Sequence, residues 1–375
     1  MSANRNLHKA KRAKNDEFYT QLTDIENELR HYREHFQGKT VYCNCDDPRV
    51  SNFFHYFSYQ FQLLGLKRLI TACYKNQQRD LFSAHTSERA IWLEYTGMRD
   101  GERVPNIEDI GVREFAGDGD FRSEEAIELL KQADIVVTNP PFSLFREYVA
   151  NLIEHDKKFI ILGNKNAINC KEIFPLIKAD RIWVGHTSMS KDLLFDLPED
   201  VAQELRETKK EGSAYKIVDG VVKGRSQSIW FTNLDHKKRH EPLILTERYS
   251  PEKYSRYDNY DAIEVSKITD IPEDWTSVMG VPITFLDKYC PEQFEIVGCT
   301  QRGCHDDFPD TRKYDDYWEY RPNGEKTGSK GGKTNENANL LGNDGKKNYF
   351  VNEKGRTVQS LYGRIFIRKR KRASQ

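Results

Sequence analysis

The segment Asn139-Pro140-Pro141-Phe142 follows an apolar run at residues 134–138 that has the composition of a buried strand. Its two prolines cannot continue a central strand, so the chain must turn here. The Asn139 amide oxygen and the Pro140 carbonyl are two acceptors that can hold an NH2 group, and the Phe142 ring offers a face for a flat base. The set suits an exocyclic amine that presents its lone pair to an electrophile, although an ordinary strand-ending turn uses the same residue types.

Alternating apolar and helix-length segments predict the frame that positions this turn. Turn and capping residues bound them, with Gly65 after one predicted helix and Ser123 before another. We expect strands at 39–45, 66–74, 91–95, 134–138, 158–163, 181–185 and 228–232, helices at 18–36, 53–64, 123–132 and 144–154, and a hairpin turn at 219–220. Strands that alternate with helices indicate an α/β fold with a parallel sheet. Ligands of such sheets bind outside the carboxyl ends of the strands, where Asn139 would lie.

Acidic loops follow the predicted strand at 39–45 and a short strand predicted to begin at Glu114. The first loop contains Asp46, Asp47 and Pro48, and the second loop contains Asp118 and Asp120. Carboxylates at the carboxyl end of a sheet can accept hydrogen bonds from the amino groups of a ligand. Taken alone, the Asp-Gly pairs of the second loop are explained equally well as a solvated turn.

Length and composition exclude several classes of protein. The chain has 375 residues, a mass of 43.9 kDa and 37% hydrophobic residues, enough for a core and about two domains. No run approaches the ~18 apolar residues of a membrane span, the N-terminus lacks a signal peptide, and seven scattered cysteines form no disulfide framework. We therefore expect a cytoplasmic protein with no membrane partner. The cysteine and histidine spacing fits no structural zinc site, so no metal is expected, and serine-hydrolase and P-loop motifs are absent.

Charge and pattern divide the chain into three parts. Basic and acidic residues number 58 each, but residues 1–14 and the last fifteen residues carry basic side chains and no acid. These ends could meet a polyanion or be solvated tails. The pattern changes near residue 240, so we expect a basic tail at 1–14, a domain at 15–240 and a second region, ending in a basic tail, at 241–375. That region holds the aromatic and basic residues of a nucleic-acid surface, or of a core and a plain surface: Tyr249, Tyr254, Tyr257, Tyr260, Arg302, Arg312 and Lys313.

Several of these motifs resemble those of a known family. Asn-Pro-Pro-Phe at 139–142 is similar to the catalytic motif of S-adenosylmethionine-dependent amino-methyltransferases, and Asp-Glu-Phe-Tyr-Thr at 16–20 to the N-terminal cofactor-contacting motif of their N6-adenine DNA branch. The order of the motifs matches the gamma arrangement. Over roughly residues 14–367 the chain resembles the EcoRI-type adenine-specific methyltransferases, through 44–48, 117–121, 139–142 and 280–285.

This resemblance implies a Rossmann-like methyltransferase sheet followed by a C-terminal α+β target-recognition region. It implies S-adenosylmethionine as the cofactor, with contacts from Tyr19, Thr20, Asp46, Asp47, Pro48, Asp118, Asp120 and Asn139. Asp47 would pair with the methionyl ammonium, and Asp118 would accept the cofactor's adenine N6 amine. The catalytic residues would be Asn139, Pro140, Pro141 and Phe142, which would act on N6 of an adenine flipped out of duplex DNA. The first loop departs from the wider superfamily because it lacks glycine.

Alternatives to this function remain open at the level of the sequence. Asn-Pro-Pro motifs also serve other amines, so RNA adenine and protein glutamine are competing acceptors. A catalytically inactive DNA-binding relative is a further alternative, supported only by the missing loop glycines. The resemblance implies a monomer that acts in a restriction-modification or phage DNA-modification system. The sequence identifies neither the recognition site nor a partner restriction endonuclease for that site.

Overall fold

The computed structural model describes residues 20–75, 89–97, 110–300, 311–330, 335, 337–361 and 363–370. Tyr19 and Arg302, together with residues 1–14, lie outside the described residues. By its internal packing the chain separates into two compact units, Met1–Ala167 with Ile182–His236 and Ile168–Arg181 with Lys237–Gln375. Among the helices of the described chain, none is both long and apolar enough to cross a membrane.

The first unit is built on one large mixed sheet and one small sheet. Its strands are β1 (Thr40–Asn44), β2 (Arg68–Cys73), β3 (Ile91–Tyr95), β4 (Arg113–Glu114), β5 (Ile135–Thr138), β6 (Lys158–Asn164), β7 (Trp183–Val184), β8 (Leu193–Asp196), β9 (Tyr215–Val218), β10 (Val221–Ser226) and β11 (Ser228–Thr232). The large sheet has the order β4-β3-β2-β1-β5-β6-β11-β7, and β8-β10-β9 form the small one. The central strands β2, β1, β5 and β6 run parallel, and the outer strands pair antiparallel.

This sheet confirms the predicted α/β class, but it is mixed and not parallel throughout as predicted. The predicted strand at 228–232 lies inside it as β11, antiparallel to its neighbours β6 and β7. All five residues of β11 are buried, as expected of a strand covered on both faces. The predicted hairpin turn is also confirmed, because Asp219 and Gly220 have φ values of 50° and 79° between β9 and β10.

Helices with buried apolar residues alternate with the strands along the chain. They are α1 (Leu22–Leu29), α2 (Arg33–Phe36), α3 (Asn52–Tyr59), α4 (Glu124–Gln132), α5 (Phe145–Glu154), α6 (Phe174–Lys178, in the second unit) and α7 (Glu199–Thr208). Short 3-10 helices lie at Arg30–Tyr32, Phe142–Leu144, Lys165–Asn169, Lys237–His240, Ile268–Asp270 and Ile283–Lys288. Ser123 caps α4, as predicted, by accepting a hydrogen bond from the Ala126 backbone N–H. The predicted helix at 53–64 ends at Tyr59, and a turn then runs to Gly65, whose φ is 60°.

The second unit contains two four-stranded sheets. Its strands are β12 (Ala262–Glu264), β13 (Val278–Pro282), β14 (Phe294–Cys299), β15 (Tyr317–Tyr320), β16 (Asn339–Leu341), β17 (Tyr349–Asn352), β18 (Thr357–Ser360) and β19 (Arg364–Lys369). They form sheets of order β12-β13-β19-β14 and β15-β17-β18-β16. The last described strand is therefore internal to its sheet.

This position changes the interpretation of the basic C-terminus. Arg364 pairs with buried Glu264 at 2.9 Å, and Arg368 pairs with Glu295 at 2.9 Å. Arg370 donates to two backbone carbonyls of the same unit. Much of the expected C-terminal tail is thus part of the fold, and its arginines neutralise acids there.

The Gly280–Phe285 segment, singled out by the family resemblance, has a packing role at its first residue. A Cβ on Gly280 would overlap the Tyr257 hydroxyl and lie 3.2 Å from the Phe366 ring. We expect Gly280→Ala to lower the free energy of unfolding by about 1–3 kcal/mol, since overpacking a core forces neighbours to shift. Urea denaturation measures this, with Tyr257→Phe as the background that removes the overlapped oxygen. An equal loss in both backgrounds would contradict the steric explanation.

Candidate active site

The parallel strands bring the predicted site residues to one edge of the large sheet. The carboxyl ends of β1, β2, β5 and β6 all point the same way, and the loops at 45–48 and 139–142 follow β1 and β5. Strands β1 and β5 are direct neighbours, with Val41 opposite Ile135 and Tyr42 opposite Val136. The loop with Asp46 and the loop with Asn139 therefore leave adjacent strands at the same edge.

Two buried hydrogen bonds to Asn44 connect the end of β1 to β5 and to α5. The Tyr148 hydroxyl donates to the Asn44 side-chain oxygen, and the Thr138 hydroxyl donates to the Asn44 backbone carbonyl. Burial raises the pKa of Tyr148 well above the ordinary tyrosine range, so this hydroxyl stays protonated and can donate. Tyr148 could not be identified from the sequence, because it looks like any other aromatic residue on the buried face of a helix.

The first loop is held by an ion pair between neighbouring residues. Asp47 is buried, and its carboxylate accepts the Arg49 backbone N–H at 2.9 Å and binds the Arg49 guanidinium. Asp46 is more accessible, and the Ser51 hydroxyl lies 3.5 Å from it. Cys45 has a φ of 105°, a strained value for a residue other than glycine. The loop thus makes its turn without glycine, and Asp47 already has a cationic partner.

The N-terminal motif reaches the same region through its last residue. Thr20 is the first described residue, and its carbonyl accepts a hydrogen bond from the Asn52 side chain at 2.9 Å. Asn52 is the first residue of α3, which follows the 45–51 loop directly. Thr20 therefore lies beside the first loop, whereas Tyr19 lies outside the described part of the chain.

The second acidic loop is packed against the end of β2. The Lys75 backbone N–H donates to the Asp118 carbonyl at 2.7 Å. Gly119 has a φ of 73°, and a Cβ there would lie 3.0 Å from the Cys73 carbonyl oxygen. Only glycine allows this close approach without strain. The Asp118 side chain is thereby placed at the same edge of the sheet as the loops after β1 and β5.

Asp118 and Asp120 have different environments. Asp120 forms a bidentate pair with Arg122, and the hydrogen bond to this guanidinium lowers the pKa of Asp120. Arg122 also binds Glu147 at 2.8 Å. Asp118 is exposed, accepts the Asp120 backbone N–H at 3.1 Å, and forms no ion pair within the described residues. Of the two, Asp118 is the carboxylate that is open to a ligand.

A glutamate from α4 fixes the start of this loop. The two carboxylate oxygens of Glu125 accept the backbone N–H groups of Ala116 and Gly117, each at 3.0 Å. Glu125 lies in the first turn of α4, where acids are common for electrostatic reasons. Its role depends on a contact eight and nine residues away, which no local pattern reveals.

The Asn139 motif forms a half-buried turn that leads into α5. Asn139 and Phe142 are partly accessible, Pro140 is buried, and the Pro141 carbonyl accepts the Leu144 backbone N–H at 3.0 Å. The turn is therefore fixed by its prolines and by a 3-10 helix. The Asn139 side-chain oxygen is itself buried, and the Phe142 ring beside it is partly exposed at the sheet edge. No group of His, Cys, Asp or Glu in the described chain could hold a metal ion.

Comparisons with known proteins identify a matching family and several relatives of the chain. The family model "Adenine-specific methyltransferase EcoRI" matches residues 6–370. The chain is 50% identical over 298 residues to the Type II methyltransferase M.EcoRI of Escherichia coli, which covers 79% of this chain and 89% of that protein. It is 40% identical over 301 residues to the Type II methyltransferase M.MpnI of Mycoplasma pneumoniae, and the matched region covers 78% of this chain and 85% of that protein. No solved structure matches the chain.

Proposed function

The chain belongs to the adenine-specific methyltransferase EcoRI family, and on that premise we propose that it transfers a methyl group from S-adenosylmethionine to N6 of a specific adenine in duplex DNA. One observation carries the proposal. The Asn139-Pro-Pro-Phe142 turn and the first acidic loop leave adjacent strands at the carboxyl edge of one sheet, and the second acidic loop packs against the end of β2 at the same edge. An acceptor for the target amine and carboxylates for the cofactor are therefore neighbours, as methyl transfer requires.

The acidic loops fit the chemical groups of the cofactor. S-adenosylmethionine carries an ammonium, an adenine amine and an electrophilic sulfonium methyl group. We infer that Asp118 accepts the adenine amine, since it is exposed and forms no ion pair within the described chain. Asp46 is the better candidate for the ammonium, because Asp47 is buried and paired with Arg49. Asp47 and Asp120 then hold their loops in shape, and Tyr19, Thr20 and Pro48 complete the proposed contact set.

The catalytic turn would act by positioning. The target adenine must leave the base stack, which costs a few kcal/mol. Asn139 and the Pro140 carbonyl would accept hydrogen bonds from its N6 amine, Pro141 would keep the turn rigid, and Phe142 would stack on the ring. The amine lone pair would then point at the sulfonium methyl group. Because catalysis would come from this positioning, no dedicated general base is required.

The architecture around the site supports the same proposal. Four parallel strands in the order β2-β1-β5-β6, with ligand-binding loops at their carboxyl ends, suit a Rossmann-like methyltransferase sheet. We infer that the first unit is the catalytic part and that the strands of residues 237–375 form the target-recognition region. M.EcoRI and M.MpnI are Type II methyltransferases, so a restriction endonuclease that cuts the same site is the partner to look for.

A competition assay separates the acceptors that the motif allows. Purified protein and S-adenosylmethionine with a radiolabelled methyl group are offered equal amounts of duplex DNA, RNA and a glutamine-containing protein. We expect the label in duplex DNA. Preferential labelling of RNA or protein would overturn the choice of substrate, and the absence of cofactor binding would overturn the proposal that the protein is an enzyme.

The Glu125 contact predicts a cofactor-binding defect at a residue that need not touch the cofactor. We expect Glu125→Ala to weaken S-adenosylmethionine binding about tenfold, since two hydrogen bonds that shape the Asp118 loop are lost. Turnover at saturating cofactor should change little. Equilibrium titration measures the affinity, with Glu124→Ala in the same helical turn as the matched control. Equal affinities of the two variants would remove Glu125 from this role.

A further inference from the structure

One face of the β15–β17 pair in the second unit carries a cluster of aromatic rings and lysines, here called the Trp318 face: Trp318, Tyr320, Lys326, Lys330 and Tyr349. Strand pairing sets Tyr320 opposite Tyr349, and their rings stack with centroids 5.7 Å apart. Trp318 lies two residues from Tyr320, so its ring projects from the same side of the strand. All three rings are partly exposed to solvent.

The lysines reach this face from the segment that folds back along β15. The Thr327 backbone N–H donates to the Glu319 carbonyl, and the Glu319 backbone N–H donates to the Ser329 carbonyl, both at 2.9 Å. This pairing places the Lys326 ammonium 3.5 Å from the Trp318 ring centroid and the Lys330 ammonium 5.2 Å from it. Two cations are therefore concentrated over one exposed ring.

The nearby acidic residues do not neutralise all of the positive charge on the Trp318 face. Lys330 pairs with Asp316 at 2.6 Å, whereas Lys326 forms no ion pair with any acid of the described chain. Glu319 projects from the opposite side of β15, where its carboxylate accepts hydrogen bonds from Thr327 and Asn348. Residues 311–361 contain ten lysines and arginines against seven acids. The chain as a whole is neutral, so this excess is local.

We propose that the Trp318 face binds the sugar-phosphate backbone of the target DNA duplex. Lys326 and Lys330 provide point charges for two phosphates, as lysine does at many phosphate sites. The three rings provide a rigid apolar surface that packs against the sugars. This inference rests on the proposed function, since it names the surface that holds the substrate of the enzyme. Contacts of this kind set register and affinity and leave the choice of sequence to other residues.

The salt dependence of DNA binding tests the two lysines directly. Each phosphate that the protein neutralises adds about 0.9 to the slope of log affinity against log salt concentration. We expect Lys326→Ala to reduce the magnitude of this slope by about 0.9, and Lys326→Ala with Lys330→Ala to reduce it further but by less than about 1.8, since Lys330 is already paired with Asp316, on specific and non-specific duplexes alike. Lys354→Ala, an exposed lysine at the turn between β17 and β18, is the matched control and should leave the slope unchanged.

Trp318 is tested by the affinity itself. We expect Trp318→Ala to weaken duplex binding about fivefold and Trp318→Phe to weaken it less, with unchanged affinity for S-adenosylmethionine.

Unchanged slopes in the lysine variants, in a protein whose wild type methylates DNA, would overturn the inference while leaving the proposed function intact. Tighter binding of RNA than of duplex DNA to the wild type would overturn both. Lys326 is exposed, so its variant stays informative if Trp318→Ala fails to fold.

Discussion

Replacing Asn139 by alanine is expected to reduce methyl transfer by about 10²–10³-fold, the range seen when one preorganised polar group is removed from an active site. The amide oxygen is proposed to hold the target amine, so its loss leaves the adenine without its main acceptor. Cofactor binding should largely survive, because Asp46 and Asp118 lie on other loops. Single-turnover kinetics with a duplex that contains the recognition site measures the effect, and titration with S-adenosylmethionine measures the binding.

Asn151→Ala provides the control for Asn139→Ala. Asn151 is half-buried on α5, and its side chain donates to the Phe121 carbonyl at 3.3 Å, in the second acidic loop and not in the catalytic turn, so its turnover is compared at saturating cofactor. Its variant should keep turnover within about threefold of the wild type, since one such hydrogen bond contributes about 1 kcal/mol or less. Wild-type turnover by Asn139→Ala would remove this residue from the mechanism.

Asp118→Ala is expected to produce the opposite kinetic pattern. A hydrogen bond to a charged group contributes about 1.5–3 kcal/mol, so cofactor affinity should fall about 10- to 100-fold. Turnover at saturating cofactor should stay near the wild-type value, because Asp118 holds the adenine end of the cofactor and not the reacting methyl group. Isothermal titration with S-adenosylhomocysteine and initial rates over a range of cofactor concentrations separate the two effects.

Asp120→Asn distinguishes the two acids of this loop. Asp120 is already paired with Arg122, so we expect its variant to lose only about threefold in cofactor affinity, as an exposed ion pair contributes little. If Asp120→Asn were the more damaging change, the assignment of the adenine-binding role would have to move from Asp118 to Asp120.

The sequence was sufficient for those features that depend on local chemistry. The apolar runs at 134–138 and 158–163, the Ser123 cap and the Asp219-Gly220 turn are specified by residues within a few positions of one another, and the structure confirms each. The position of Asn139 at the carboxyl edge follows from the same reasoning, since a proline pair after a buried strand leaves the chain few alternatives.

Features that depend on distant contacts could not be predicted in this way. Glu125 and Tyr148 contact segments that lie apart from them in the sequence and become neighbours only in the folded chain. Arg364 looked like part of a basic tail, because nothing in its neighbourhood indicates that Glu264, 100 residues earlier, would face it. The placement of β11 inside the sheet has the same origin, since pairing order is a property of the whole topology.

The contact between Asp47 and Arg49 shows a second reason why a role could not be predicted from the sequence. Arg49 is only two residues away, so the pair is local, yet two roles were open to the Asp47 carboxylate. A ligand ammonium and a guanidinium satisfy the same oxygens, and residue types alone cannot decide between them. The structure pairs Asp47 with Arg49, and on that ground we propose Asp46 as the partner of the ammonium.

Nucleoside mass spectrometry of DNA treated with the pure protein and S-adenosylmethionine tests the central claim most directly. We predict N6-methyladenine in the digest of a duplex, formed only when the cofactor is present, and sequencing of the methylated positions would then give the recognition site. A digest with no methylated adenine, from protein shown to bind both the cofactor and duplex DNA, would contradict the assignment of this site to adenine N6 methylation.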